Sequence, residues 1–292
     1  MKIVPSDTPI LASDRAFNYG DGVFTTICVE NYTPQLIDLH LSRLCHDANA
    51  IGLQLEQNRL MPAIFNEIER LKVDALQSDN LHSDSSSDDR YVLKVHVSGG
   101  DSGRGYARDK HTPPIVRFSQ HAYPANYASL AKSGLSLICA QTTLAIQPLL
   151  AGVKHLNRLE QVLVKQEVVA KGVDDAIVCD TQDNVIEASA GNVFFFAQGT
   201  WYTPSLKGCG VNGVVRQALV QALHNENTPL QLGEYSLKSV EAAEAVVVTN
   251  ALMGVTPVKR IAFNDEHWVD YNIDNAAIRY LQSLLRIAVY GK

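Results

Sequence analysis

The order of strand-like and helix-like segments constrains the fold of this chain more than any other feature. Apolar residues that alternate or run together predict strands, and apolar residues three and four positions apart predict helices. The predicted strands span residues 23–29, 91–97, 135–140, 175–178, 193–196 and 245–248, and the predicted helices begin at Asp38 or span residues 59–76, 156–170 and 214–224. These segments follow one another without a regular βαβ repeat, which favours an α+β fold over a doubly wound parallel sheet.

Two of the predicted helices combine an apolar face with a signal at one end. Asp38 is the predicted N-cap of the first, because a carboxylate accepts hydrogen bonds from the free N–H groups of the first turn. Gly172 is the predicted stop of the second, because glycine readily takes the left-handed backbone angles found at helix ends. The predicted apolar faces are Leu41, Leu44, Ala48 and Ile51 in the first helix and Leu156, Leu159, Leu163, Val169 and Ala170 in the second.

Chain length and a change of composition predict two domains. The chain has 292 residues, and a domain typically has roughly 150. A polar, proline-containing stretch at residues 121–126 predicts a smaller N-terminal domain at 1–121 and a larger C-terminal domain at 122–292. Residues 77–90 are acidic and rich in serine. They are predicted to form a surface loop, because they bury too little apolar surface to offset the entropy of ordering.

Composition argues against several classes of partner. Lys plus Arg total 25 against 31 Asp plus Glu, and the resulting net charge of −6 does not favour nucleic acid. The five cysteines are odd in number and form no C-x-x-C pair, as expected of reduced thiols in the cytoplasm. The first eight residues do not resemble a secretory signal, and no stretch approaches the roughly 20 apolar residues of a membrane helix. We therefore expect a cytoplasmic protein.

Several common catalytic motifs are incomplete or missing in the sequence. The glycine-rich run at residues 99–107 lacks the third glycine of G-x-G-x-x-G and the Lys-Ser/Thr pair of a P-loop. The nine histidines form neither H-E-x-x-H nor a zinc spacing with cysteine, and there is no G-x-S-x-G. We therefore expect neither a metal site nor a serine hydrolase.

Lys154 and Glu187 occupy positions in the sequence that suggest a role in catalysis or cofactor binding. Lys154 follows five apolar or glycine residues, and partial burial there would leave a neutral amine able to form a Schiff base. Glu187 lies between a β-rich run and a turn of small residues, where a buried carboxylate is costly unless a cation such as a protonated pyridine compensates it. The alternatives are a lysine that extends to solvent and a strand-end glutamate that faces water.

Two loops and one arginine suggest an anion site. At residues 211–216, Asn and Gly precede a helix whose free N–H groups and positive dipole end would face a phosphate, with a simple capped helix as the alternative. Residues 249–251 follow a buried strand, a common location for ligand contacts. Arg43 would complete the site as a forked donor, with a solvated arginine as the alternative.

Seven sequence blocks together resemble a known family. In chain order they are DRAFNYGDGVFTT from Asp14, HLSRL around Arg43, GRGY around Arg104, LLAGVKHLNRLEQVL around Lys154, EASAGNVF from Glu187, GVNGVVRQ and TNALMGVTP. The series spans residues 14–257 and resembles the pyridoxal-phosphate enzymes of fold type IV, which include the D-amino acid and branched-chain aminotransferases. The lysine block and the SGRGY block are similar to those of the family's lyase branch. The serine-rich segment at 77–90 departs from the family pattern.

This resemblance implies pyridoxal phosphate as the cofactor and a role for each matching residue. Lys154 matches the Schiff-base lysine, and Glu187 matches the carboxylate that keeps the pyridine nitrogen protonated. The residues that match the phosphate-binding positions are Arg43, Val214, Val215, Asn250 and Ala251. The residues that match positions near the cofactor's phenolic oxygen are Asn157 and Arg158.

The resemblance also implies a reaction, in which 4-amino-4-deoxychorismate becomes 4-aminobenzoate and pyruvate. Arg104 matches a contact to a substrate carboxylate, and Thr25 and Thr26 are candidate substrate-binding hydroxyls near the departing enol. Family members are homodimers, so we expect a homodimer here. The alternatives are a transaminase of D-amino or branched-chain amino acids with the same lysine and glutamate, and a non-catalytic binding module, which would be expected to lose one of those two residues.

Overall fold

A computed structural model describes residues 1–78, 90–102 and 105–291 of the chain. Residues 79–89, which make up most of the predicted serine-rich loop, lie outside the described residues. Contacts within the chain define two compact units. The first unit is Met1–Tyr123 with Lys154–Asn157, and the second is Pro124–Val153 with Arg158–Lys292.

The first unit is built on a five-stranded sheet. Its helices are α1 (Arg15–Tyr19), α2 (Ile37–Ala50) and α3 (Gln57–Ser78), and its strands are β1 (Lys2–Ile3), β2 (Gly22–Glu30), β3 (Thr33–Pro34), β4 (Arg90–Ser98) and β5 (Ile115–Ala122). The strand order is β1-β5-β4-β2-β3. β1 runs parallel to β5, and the remaining neighbours are antiparallel. The long β2–β4 and β4–β5 ladders therefore form the centre of this sheet.

Apolar packing between α2 and the sheet holds the first unit together. Alternate residues of β2 are buried on one face, including Val23, Ile27 and Val29, and α2 packs against this strand. Leu41, Leu44 and Ala48 of α2 are fully buried, as the sequence predicts. Full burial of side chains of this kind contributes roughly 1.5–3 kcal/mol for each leucine.

The predicted beginning of α2 is wrong in detail. The N-cap residue is Leu36, in the left-handed conformation with φ 51°, and it makes no side-chain capping hydrogen bond. Asp38 lies inside the first turn, where its negative charge interacts favourably with the positive end of the helix dipole. Ile51, predicted as part of the apolar face, is the C-cap and is only partly buried.

The second unit is built on a larger mixed sheet. Its helices are α4 (Tyr127–Ser133), α5 (Leu159–Lys171), α6 (Val214–Asn225), α7 (Leu237–Glu241) and α8 (Ala276–Tyr290), with a short 3₁₀ turn at Pro148–Leu150. Its strands are β6 (Leu135–Cys139), β7 (Asp175–Cys179), β8 (Val185–Ala188), β9 (Asn192–Ala197), β10 (Thr200–Pro204), β11 (Leu230–Gly233), β12 (Ala245–Asn250), β13 (Gly254–Ala262) and β14 (Trp268–Asp270). The strand order is β11-β10-β9-β12-β13-β6-β7-β8, and β14 pairs with β13.

Parallel and antiparallel pairs alternate irregularly across this second sheet. β10–β11, β6–β13 and β6–β7 are parallel, whereas β9–β10, β9–β12, β12–β13 and β7–β8 are antiparallel. A mixed sheet of this kind confirms the predicted α+β class. The core on one face includes Leu137, Ile177, Val193, Phe195 and Val248.

The predicted apolar face of α5 is wrong. Leu159 and Val169 are 70% and 78% exposed, Leu163 is also exposed, and Leu156 precedes the helix. The buried residues of α5 are Val164 and Val168, because the side of the helix that carries them packs into the core with β7. Apolar residues surround this helix on more than one side, so the spacing alone does not identify the buried side. The predicted stop is confirmed, since Gly172 is a left-handed C-cap with φ 65°.

Candidate active site

The segment that carries Lys154 lies on the edge of β2. The Phe24 N–H donates to the Lys154 carbonyl oxygen at 3.0 Å, and the Leu156 N–H donates to the Gly22 carbonyl oxygen at 2.9 Å. Val23 and His155 form an antiparallel bridge between them. The segment therefore behaves as a short extra strand of the first unit. The sequence prediction kept it with residues 122–292, because periodicity within a helix or strand does not report pairing with a distant strand.

Two neighbours within the first unit fix the position of Lys154. The buried Asp47 carboxylate accepts a hydrogen bond from the Lys154 backbone N–H at 2.9 Å. The Lys154 Nζ lies 4.4 Å from the centroid of the Phe24 ring. The side chain is half-buried, so one side of the amino group faces an aromatic surface rather than water. The neutral amine expected at Lys154 stays a prediction.

A buried polar stripe on α2 faces the same region. His40, Arg43 and Asp47 are spaced three and four residues apart, so they lie on one side of the helix. All three are more than nine-tenths buried. Arg43 was predicted from the sequence, whereas His40 and Asp47 were not. The sequence contains their helical spacing, one position before the apolar residues Leu41, Leu44 and Ala48, but not their burial.

Thr25 connects that stripe to β2. Its Oγ1 accepts a hydrogen bond from Arg43 Nη2 at 2.6 Å and lies 2.6 Å from His40 Nδ1. Thr25 is 1% exposed, so its hydroxyl belongs to the interior of the unit. Thr26 has the opposite orientation on the strand and is partly exposed. Of the two threonines predicted to bind substrate, the structure leaves Thr26 with the accessible hydroxyl.

The electrostatic surroundings keep His40 neutral. Burial lowers the pKa of His40 well below its ordinary value of 6.5, and the charges of Arg43 and Lys154 lower it further. A protonated imidazole would place a third positive charge beside these two cations. His40 is therefore neutral, and Arg43 carries the positive charge of this pair.

Asn157 and Arg158 lie on either side of the boundary between the two units. The exposed Asn157 belongs to the first unit, where its Nδ2 donates to the Tyr19 carbonyl oxygen at 3.4 Å. Arg158 belongs to the second unit, where its Nη2 donates to the Val153 carbonyl oxygen at 2.8 Å. Both side chains thus contact the backbone of their own unit.

Arg104 lies outside the described residues, but the backbone that follows it is held firmly. The buried Arg15 donates through Nη2 to the Tyr106 carbonyl oxygen at 2.7 Å and through Nη1 to the Gly105 carbonyl oxygen at 3.1 Å. Its Nε donates to Asp21 Oδ2 at 2.6 Å. Asp21 has a lowered pKa because its hydrogen bonds and charge interactions with Arg108 and Arg15 outweigh the effect of burial.

Glu187 is buried on β8 in the second unit. It is 5% exposed, and its Oε2 accepts a hydrogen bond from the Val211 N–H at 2.8 Å. A backbone N–H stabilises the carboxylate form of the side chain. The loop that begins at Val211 leads directly into α6, so the carboxylate and the beginning of that helix are tied together.

Asn192 fixes the other end of this loop. Its Nδ2 donates to the Val211 carbonyl oxygen at 2.8 Å, and its Oδ1 accepts from the Gly213 N–H at 3.2 Å. A Cβ atom at Gly213 would lie only 2.2 Å from Asn192 Oδ1. A side chain at position 213 would therefore force Asn192 to move and would disturb its hydrogen bonds to this loop.

The N-terminus of α6 is an electropositive end without a side-chain cap. Gly213 is the N-cap, and Val214 and Val215 are buried in the first turn. The buried Arg216 in the same turn donates to Asn212 Oδ1 and to the Pro204 carbonyl oxygen, both at 3.0 Å. Burial lowers the pKa of Arg216 to about 10, which still leaves it charged at neutral pH. The helix dipole and this guanidinium both favour an anion at this end.

The Asn250 side chain forms hydrogen bonds with the backbone of its own turn and of the loop at Ala190. Its Nδ2 donates to the Ala190 carbonyl oxygen at 3.0 Å, and its Oδ1 accepts from the Leu252 and Met253 N–H groups at 2.9 Å. The side chain therefore shapes the loop in which Ala251 lies.

Each unit, taken by itself, carries groups of a kind that bind parts of pyridoxal phosphate. The first unit provides an amine, Lys154, and a buried guanidinium, Arg43. The second provides a buried carboxylate and an electropositive helix end, joined by one loop that a Cβ at Gly213 would disrupt. An aldehyde, a phosphate and a pyridine nitrogen would each find a group of suitable chemistry. Within the described residues, no cluster of three or more His, Cys, Asp or Glu side chains is suited to hold a metal ion.

Residues 22–261 match the family model of the class IV amino-transferases. The chain belongs to this family. The match confirms the resemblance drawn from the sequence blocks around Arg43, Lys154 and Glu187.

The chain is similar in sequence to lyases and to aminotransferases of the class IV family, to different degrees. The aminodeoxychorismate lyase of Vibrio harveyi is 34% identical over 266 residues, which cover 91% of this chain and 92% of that protein. A D-alanine aminotransferase of Staphylococcus aureus is 25% identical over 261 residues, covering 89% and 86%. The crystal structure of 4-amino-4-deoxychorismate lyase from Pseudomonas aeruginosa superposes with a TM-score of 0.83 at 32% identity, covering 96% and 95%.

Proposed function

We propose that this chain is a pyridoxal-phosphate-dependent lyase that converts 4-amino-4-deoxychorismate to 4-aminobenzoate and pyruvate, a step toward folate. The observation that carries the proposal is the difference in similarity within the class IV family. Identity to the Vibrio harveyi lyase is 34%, against 25% to the D-alanine aminotransferase, over nearly the same length. The transaminase relatives make D-alanine transamination the second candidate.

Bound pyridoxal phosphate supplies an electron sink for negative charge at the carbon that carries the substrate's amine. The Lys154 Nζ holds the cofactor and takes the proton from C4 of the substrate. Glu187 keeps the ring nitrogen protonated, and the Val211 N–H orients its carboxylate for that contact. The departing enolpyruvate is protonated by Lys154 or by Thr26, whose hydroxyl is the more accessible of the two candidate threonines.

Backbone N–H groups and one guanidinium are the proposed donors for phosphate binding. The N–H groups of Val214 and Val215 at the beginning of α6 and the guanidinium of Arg43 are its donors. The backbone of Asn250 and Ala251 completes the set. Asn157 and Arg158 remain proposed neighbours of the phenolic oxygen.

Arg104 is proposed to bind a carboxylate of the substrate. Loss of a charged contact costs on the order of 1.5–3 kcal/mol, so we expect Arg104→Ala to lower kcat/KM about tenfold to a hundredfold. The affinity for pyridoxal phosphate should be unchanged. Steady-state kinetics and a cofactor titration measure the two effects, and an equal loss in both would argue against a substrate contact.

We further propose a cytoplasmic homodimer. The exposed apolar residues of α5, Leu159, Val162, Leu163 and Val169, offer a surface that a second copy would cover. The five cysteines are all free, in keeping with a reducing compartment. Sedimentation equilibrium measures the assembly state directly.

The decisive experiment supplies the purified holoenzyme with 4-amino-4-deoxychorismate and no keto acid. We expect equimolar 4-aminobenzoate and pyruvate, because aromatisation drives the elimination without an amino acceptor. Lys154→Ala is the control and should form neither product. If turnover requires 2-oxoglutarate, or occurs only with D-alanine or a branched-chain amino acid, the transaminase function replaces the lyase.

A further inference from the structure

Three buried polar side chains link α2 to β2 in the first unit. Arg43 Nη2 donates to Thr25 Oγ1 at 2.6 Å, and the same oxygen lies 2.6 Å from His40 Nδ1. Exposure is 7% for Arg43 and 1% for each of the other two. The group that holds the guanidinium through Nη2 is thus a neutral hydroxyl.

The hydrogen-bond partners of Thr25 indicate where the hydrogens of Thr25 and His40 lie. Thr25 has one hydroxyl hydrogen and already accepts from Arg43, and the other partner of its oxygen in the described chain is His40. We assign the hydroxyl hydrogen to His40 Nδ1, because with the other tautomer that hydrogen would have no partner among the described residues, and the imidazole hydrogen then lies on Nε2. His40 is neutral, because burial and the nearby positive charges of Arg43 and Lys154 lower its pKa.

The arrangement is expensive for a purely structural role. His40 Nε2 is buried and has no hydrogen-bond partner among the described residues, and an unsatisfied buried donor is unfavourable. An apolar residue at position 40 would fill the same space without that penalty. Thr25 lies in a strand whose other buried residues on that face are apolar. The hydrogen-bonded residues Thr25, His40 and Arg43 therefore lower the folding stability of the unit relative to apolar residues in the same places.

We propose that Thr25 and His40 are positioning residues that fix the guanidinium of Arg43 for contact with the cofactor's phosphate. The Thr25 hydroxyl fixes Nη2, and His40 fixes the hydroxyl by accepting its hydrogen. The remaining N–H groups of the planar guanidinium are then presented in one orientation. This inference rests on the cofactor assigned under the proposed function and is independent of whether the reaction is elimination or transamination.

Matched substitutions separate the hydrogen-bonding role from packing. Thr25→Val keeps the shape and removes the hydroxyl, whereas Thr25→Ser keeps the hydroxyl. His40→Leu removes the acceptor, whereas His40→Asn keeps an oxygen near the place of Nδ1. The double variant Thr25→Val with His40→Leu tests whether both residues act through one series of hydrogen bonds.

The measurement compares pyridoxal phosphate with pyridoxal, which lacks the phosphate. Apo forms of the full-length wild type and variants are titrated with each compound, and the ratio of the two dissociation constants is recorded. We expect Thr25→Val and His40→Leu each to lower the preference for pyridoxal phosphate about tenfold, with the affinity for pyridoxal unchanged. Thr25→Ser and His40→Asn should keep the wild-type ratio, and the double variant should lose no more than either single variant.

Other outcomes overturn the inference. If Thr25→Val and His40→Leu weaken both compounds equally, or change neither, the series supports the fold and does not position Arg43. The same conclusion follows if the conservative variants lose the preference as fully as the disruptive ones. If one disruptive variant fails to fold, the other disruptive variant and its conservative partner decide the question. If wild type itself does not bind pyridoxal phosphate, the proposed function fails first, so the two failures are distinguishable.

Discussion

Protonation of His96 should make the first unit sensitive to acid. His96 lies on β4, and its ring stacks on Phe24 with the centroids 6.0 Å apart. Burial, followed by the charges of Lys94 and His121, lowers the pKa of His96 from 6.5 to about 4. Between these two values the unfolded chain binds a proton that the folded chain does not. Stability contributed by neutral His96 is therefore present above pH 6.5 and is lost as the pH falls toward 4.

The magnitude follows from the two pKa values. Lowering the pH from 7 to 5 should remove roughly 2 kcal/mol of unfolding free energy through His96 alone. His96→Phe keeps an aromatic ring against Phe24 and removes the titration, so its loss between the same pH values should be smaller by about that amount. Urea unfolding of the apo protein, followed by circular dichroism at both pH values, measures the difference.

A matched control makes this result specific to position 96. His111 is exposed, and His111→Gln should show the same loss of stability between pH 7 and 5 as wild type. If His96→Phe also shows the wild-type loss, protonation of His96 is not coupled to unfolding and the reasoning from burial is refuted.

Three further predictions concern the cofactor groups. Borohydride treatment of the holoenzyme should fix the cofactor covalently on Lys154, and peptide mass mapping to another lysine would remove the proposed mechanism. Glu187→Gln should retain the cofactor but lose most activity, because an amide accepts the Val211 N–H yet cannot hold the ring nitrogen protonated; near-normal turnover would contradict this role. Gly213→Ala should weaken pyridoxal phosphate binding about tenfold, because Asn192 must shift. The control Gly208→Ala meets only Ile146 at 3.4 Å and should bind normally in the same titration.

Local periodicity predicts ten of the twenty-two helices and strands that the described residues form, because each of these ten depends on neighbouring residues. The strand predicted at 23–29 is observed as Gly22–Glu30, and the helix predicted at 214–224 is observed as Val214–Asn225. The buried side of α5 was not predictable in this way. Val164 and Val168 differ from the exposed Leu159 and Val169 only in what packs against them, and that depends on the position of β7.

In the candidate site, too, residues with a distinctive local sequence were predicted and contacts between distant parts of the chain were not. Lys154 and Glu187 were proposed from their sequence context, and in the structure Lys154 is half-buried and Glu187 is buried. His40 and Asp47 were missed, because a polar residue within a helix is usually solvated and burial on the polar stripe depends on contact with β2. The pairing of the Lys154 segment with β2 was also missed, since it joins residues more than a hundred positions apart in the chain.

The strand-like pairing of Lys154–Asn157 has a consequence for how the enzyme is made and divided. A ribosome completes Met1–Tyr123 well before the piece that covers the open edge of β2, so that edge stays unprotected until residue 157 has been synthesised. A gene cut at the boundary near Tyr123 would leave the guanidinium of Arg43 on one product and the amine on the other. The first unit therefore needs both pieces of its sequence on one chain, although the second unit has a core of its own.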